Sequence, residues 1–79
     1  MKQAKRLQKI RQNPRAVTPS QMDAALRDAG FELDHVSGSH HVYRHPDIIE
    51  TLSIPFRRPH LLPVYVRHAL EAIDQLEEQ

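Results

Sequence analysis

Three imidazoles, a guanidinium and a phenol ring crowd into nine consecutive residues, Gly38-Ser39-His40-His41-Val42-Tyr43-Arg44-His45-Pro46. Histidine is the side chain whose unperturbed pKa lies nearest neutral pH, so it gives or takes a proton with little tuning. Arginine neutralises phosphate, and tyrosine offers a flat face to a base. An imidazole, a cation and an aromatic ring on one short segment suit the cutting of RNA. The same residues could instead be the polar surface of a half-exposed strand, or an incidental metal trap.

The composition narrows the setting. A chain of 79 residues allows one small domain, with a core about as large as one sheet and two helices can enclose. It has no cysteine, which removes disulfides, thiolate metal sites and thiol nucleophiles. A secreted domain this small usually needs staples, so a cytoplasmic location is expected. No apolar run reaches the roughly 20 residues of a membrane span, and no signal-peptide run follows the basic N-terminus. Formal net charge is only +1, but it is unevenly spread. Lys2, Lys5, Arg6, Lys9, Arg11 and Arg15 precede the first acid, Asp23, while Glu71, Asp74, Glu77 and Glu78 crowd the other end. Local basic patches, not bulk charge, are what could meet nucleic acid.

The elements that must position the cluster can be read from caps and periodicity. Lys2 to Gln12 has a narrow apolar stripe of Leu7 and Ile10 and stops at Asn13-Pro14, which predicts a loosely docked basic helix. Residues 1–15 therefore read as an extension and 16–79 as the domain. Thr18, Pro19 and Gln21 mark the start of a second helix whose apolar face is Met22, Ala25, Leu26 and Ala29, with Gly30 as its stop. Three strand-like runs follow: Phe31 to Val36, with Phe31 and Leu33 on one face; His41 to Arg44; and Thr51 to Ile54. Ser37-Gly38-Ser39 separates the first two as a turn. A basic, proline-bounded loop, Pro55 to His60, leads to a last helix from about Pro63 to Glu77 that buries Val66, Ala69, Leu70, Ile73 and Leu76. Helix, three-stranded antiparallel sheet, helix makes an α+β fold with both helices on one sheet face, plus the extra short N-terminal helix. Within the second run Val42 is expected to face the core, which turns His41 and Tyr43 outward together.

That order, with Gly38-Ser39-His40-His41 on the turn into the second strand, resembles the HicA family of toxins. The resemblance runs from about Thr18 to Leu76. It rests on the Asp28-Ala29-Gly30-Phe31 corner, the Gly-Ser-His-His-x-Tyr-x-His-Pro segment and the Ile54-Pro55 strand end. It implies a fold like a double-stranded-RNA-binding domain, metal-independent cleavage of messenger RNA by a histidine without a cofactor, and a HicB-like antitoxin as partner. Two departures stand out. Many members lack the basic N-terminal helix, and many carry a histidine and lysines where this chain has Phe56-Arg57-Arg58.

The resemblance points to His40 as the catalytic histidine, with His41 a close second on strand geometry. Ser39, Tyr43, Arg44, Arg57 and Arg58 are the candidate RNA contacts; Tyr43 could equally be a packing residue. No metal site is expected, because adjacent histidines on a strand cannot easily chelate one ion and no His-Glu-x-x-His pattern occurs. The other readings of the same fold are a non-catalytic RNA-binding module and a protein-interaction subunit.

Overall fold

A computed structural model describes residues 2–77 of the protein. Met1, Glu78 and Gln79, which end the two segments expected from the sequence, lie outside the described residues. The elements run α1 (Lys2–Gln12), α2 (Pro19–Asp28), β1 (Glu32–Ser37), β2 (His40–His45), β3 (Ile48–Pro55) and α3 (Pro63–Glu77). The strands form one antiparallel sheet in the order β1-β2-β3, so β2 is central. The expected α+β fold, with its short N-terminal helix, is the one observed.

Local chemistry fixes the ends of α2. The Thr18 hydroxyl accepts from the Gln21 amide at 3.1 Å, and the Gln21 side chain accepts from the Thr18 amide at 2.9 Å, a reciprocal capping box with Pro19 in the first turn. The helix ends at Gly30, whose φ of +97° is open to glycine and costly for other residues. A Cβ there would also sit 2.9 Å from the His45 ring.

The core joins all three helices to one face of the sheet. Met22, Ala25 and Leu26 of α2 meet Val66, Ala69 and Ile73 of α3, with Phe31, Tyr43 and Ile54 from the sheet side. Helix α1 is packed more firmly than its narrow stripe suggests. Ile10 is 2 % exposed and Leu7 8 %, both within the common core. Arg6 pairs with Asp28 of α2, and Arg11 with Asp74 of α3 at 2.5 Å. Burial of these two apolar side chains seats the helix, and the two exposed ion pairs flank the contact. The expected loose appendage is thus a structural part of the domain. Ile10→Ala should therefore lower stability by about 2–5 kcal/mol, read from denaturant unfolding. A change below about 0.5 kcal/mol would return α1 to the status of an appendage.

Candidate active site

The turn that starts the site is a two-residue hairpin. Gly38 takes a φ of +60° and Ser39 does not, so positive φ falls only on the first turn residue, as a type II′ turn requires. The Ser39 carbonyl accepts from the Phe56 amide at 2.7 Å and lies 3.3 Å from His41 Nδ1. The hairpin is thereby tied to the start of the basic loop that follows β3. Arg57 and Arg58 on that loop are exposed, as is Ser39.

Alternation along β2 then divides its side chains between two faces. Tyr43 is wholly buried, not turned outward as expected. It pairs with Leu33 on one side and Leu52 on the other, and its hydroxyl donates to Asp23 of α2 at 2.6 Å. Burial first, and then this hydrogen bond, pushes the hydroxyl far above the ordinary tyrosine range, so it stays protonated. A base cannot stack on a ring that has no exposed surface, and of its two expected roles Tyr43 takes packing. His41 shares this side of the sheet, opposite buried Ile54, with its ring stacked on Phe56 at 3.7 Å between centroids. His45 follows on the same side. Its Nδ1 accepts from the Asp47 amide at 3.0 Å, so its Nε2 carries the proton donated to the Ala29 carbonyl at 3.1 Å. Its ring also meets Phe31 edge-on, which makes His45 a structural residue.

His40, Val42 and Arg44 occupy the opposite face, which none of the described helices covers. His40 is exposed and pairs across the sheet with Ser37 of β1 and Pro55 of β3. Val42 is half-buried between His35 and Ser53, giving the face a small apolar floor. Arg44 is exposed and sits opposite Glu32. A shallow cleft bordered by Glu32, Asp34 and Arg44 opens at that end. The structure thus sets His40 and Arg44 on one face, with Pro55 beside His40, but carries the loop toward the helix side, where Phe56 stacks on His41 and Arg58 borders a cleft with Thr18, Pro19 and Ser20 at the start of α2. It separates His41 from His40 by the thickness of the sheet, so the two cannot bind one ion. Among the described residues no three histidine or carboxylate groups are placed to hold a metal.

Sequence reasoning missed one occupant of the open face. The β1–β2 register shifts between Leu33 and His35, so two β1 residues oppose one of β2. Strict alternation from Leu33 would turn His35 toward the helices; the bulge turns it outward, opposite Val42. Its Nδ1 lies 2.8 Å from Asp34 Oδ2, and Arg44 approaches the other oxygen of the same carboxyl at 3.5 Å. The hydrogen bond from His35, with the charge of Arg44 behind it, holds the Asp34 carboxyl below the usual carboxylate range.

This exposed imidazole face, with Arg44 on it, is suited to proton transfer at a phosphodiester. Comparison with known proteins gives it a family. The family model described as "HicA toxin of bacterial toxin-antitoxin" matches residues 19–75, which span α2, the whole sheet and nearly all of α3. No curated protein and no solved structure matches the chain. No described helix is long and apolar enough to cross a membrane. The family match covers well over half of the sequence and includes every residue of the open face: the chain belongs to the HicA family of toxins from bacterial toxin–antitoxin pairs.

Proposed function

We propose that this HicA-family toxin is a metal-independent endoribonuclease that cleaves messenger RNA, with His40 as its general base. The observation that carries the reading is the position of His40. It is exposed at the start of the central strand, on the face that none of the described helices covers, inside the family-matched segment. The His40 imidazole takes the proton of a ribose 2′-hydroxyl, whose oxygen attacks the neighbouring phosphorus. Arg44 is the cation for the phosphorane charge, Arg57 and Arg58 are contacts to other RNA phosphates, and Val42 is a floor for the ribose or base. Ser39, on the turn beside His40, is a further contact. His41, braced by Phe56 on the other face, positions the hairpin rather than the proton.

The family pairs a toxin with an antitoxin. Among the described residues no lid covers the open face: a two-residue turn and a short loop border it. Control from outside is the simplest arrangement, by a HicB-like antitoxin that covers His40 and offers acidic side chains to Arg44, Arg57 and Arg58.

Purified protein should degrade RNA in the presence of a strong chelator. Activity that vanishes with chelator and returns with a divalent ion would defeat the mechanism. Binding should also weaken steeply with salt, because phosphate contacts release counterions. On a His40→Ala background, replacing Arg57 and Arg58 with glutamine should flatten the slope of log affinity against log salt by about 1.4 on single strands. An unchanged slope would turn that loop away from RNA.

A further inference from the structure

Phosphodiester transesterification needs two proton carriers, one at the nucleophile and one at the leaving oxygen. His40 supplies the first. The second must lie on the same open face, belong to a side chain type that can donate a proton, and be accessible. Most of the remaining candidates on or near the sheet fail on position or chemistry. Tyr43 is buried with its proton committed to Asp23. His41 and His45 lie on the helix side, one stacked on Phe56 and the other bonded through both nitrogens. Arginine does not give up its proton in a protein, so Arg44 can stabilise charge but not act as an acid.

His35 meets every requirement. The β1 bulge sets it on the open face opposite Val42, two residues along β1 from Ser37, the partner of His40. His35 and His40 are therefore diagonal neighbours across an antiparallel pair, a relation that places residues about 7–8 Å apart. That spacing admits one phosphodiester with an imidazole at hydrogen-bond reach on either side. The His35 side chain is 56 % exposed, so a ligand can reach it. Its Nδ1 faces the Asp34 carboxyl at 2.8 Å, which fixes the ring's orientation and leaves Nε2 as the outward nitrogen. The charged and titratable groups around it are Asp34 and Glu32 on its own strand, and His40 and Arg44 on β2.

We propose that His35 is the general acid of the cleavage, oriented by Asp34 and brought to the face of His40 by the β1 bulge. This rests on the reading of the protein as an RNA-cleaving enzyme. As His40 takes the 2′-hydroxyl proton, the 2′-oxygen–phosphorus bond forms and the phosphorus–O5′ bond breaks. The electron pair of the broken bond goes to O5′, which receives the proton of the His35 imidazolium. The products are a 2′,3′-cyclic phosphate and a 5′-hydroxyl. His40 has then gained one proton and His35 has lost one, and exchange with water restores both. Asp34 is a positioning residue in this scheme.

The test compares an ordinary RNA linkage with one whose leaving O5′ is replaced by sulfur, since a thiolate departs without a proton. His35→Ala should slow cleavage of the ordinary linkage by about 10²–10⁴-fold and remove the fall in kcat/KM at alkaline pH. On the sulfur linkage the same variant should approach the wild-type rate, whereas His40→Ala stays slow on both. Asp34→Asn should show a smaller loss on the ordinary linkage and none on the sulfur one. An equal loss on both linkages for His35→Ala, or for the milder His35→Gln, would overturn the assignment, as would full activity of either variant on the ordinary linkage. Wild-type protein that cleaves neither linkage would overturn the RNA-cleaving reading itself, and this assignment with it.

Discussion

Cells producing the His40→Ala protein without a partner should grow normally, whereas the unaltered chain should arrest growth and deplete messenger RNA. Cleavage by the purified variant should fall about 10²–10⁴-fold, the range over which a positioned general base acts. The fold should hardly notice. His40 is exposed, and its cross-strand neighbours Ser37 and Pro55 pair with it through the backbone ladder. A substitution of that kind changes stability by no more than about 0.5 kcal/mol. Far-ultraviolet circular dichroism and the melting temperature are the checks that the variant is folded. A folded variant that still arrests growth would remove His40 from the mechanism.

Tyr43 should behave in the opposite way, with a large effect on folding and none of its own on chemistry. Its ring is wholly buried between Leu33, Leu52 and the helices, so Tyr43→Ala should cost about 3–5 kcal/mol. Domains of this kind are stable by only about 5–15 kcal/mol in total. A drop in melting temperature of about 12 °C or more is therefore expected, at about 4–8 °C per kcal/mol for a chain of this size. Tyr43→Phe keeps the ring and loses only the bond to Asp23, a carboxylate that Arg27 still holds at 3.0 Å. That variant should lose about 1 kcal/mol and keep its rate of RNA cleavage per folded molecule. A stable Tyr43→Phe protein with weakened RNA binding would restore the outward role that the burial of Tyr43 denies.

The contrast between these two residues shows how far the sequence could be read. Caps and helical periodicity announce themselves locally, and Thr18, Gln21, Gly30 and the Val66-Ala69-Ile73 stripe stand where their spacing predicts. The order of strands followed from Gly38 and from the proline-bounded loop. The faces of the strands were harder. In His40 to His45 one parity offers Val42 and the other Tyr43, and hydrophobicity alone favours the valine. The larger ring wins because Asp23 on α2 receives its hydroxyl, a contact made across twenty residues that no local pattern contains. The β1 bulge was equally hidden. Leu33-Asp34-His35-Val36 can be threaded with or without an extra residue, and only pairing with β2 decides that His35 turns outward. The docking of α1 was hidden because the core that Leu7 and Ile10 join, like the flanking partners Asp28 and Asp74, is distant in sequence.

The central claim is that a histidine pair face to face with the phosphate cuts RNA through its own 2′-hydroxyl, and the chemical ends of the products test it most directly. RNA treated with the purified protein in chelator should carry 2′,3′-cyclic phosphate on the upstream fragment and a free 5′-hydroxyl on the downstream one. An RNA with 2′-deoxyribose at the cleaved position should be left intact. Fragments ending in a 3′-hydroxyl and a 5′-phosphate, or cleavage of the deoxy-substituted strand, would contradict the account.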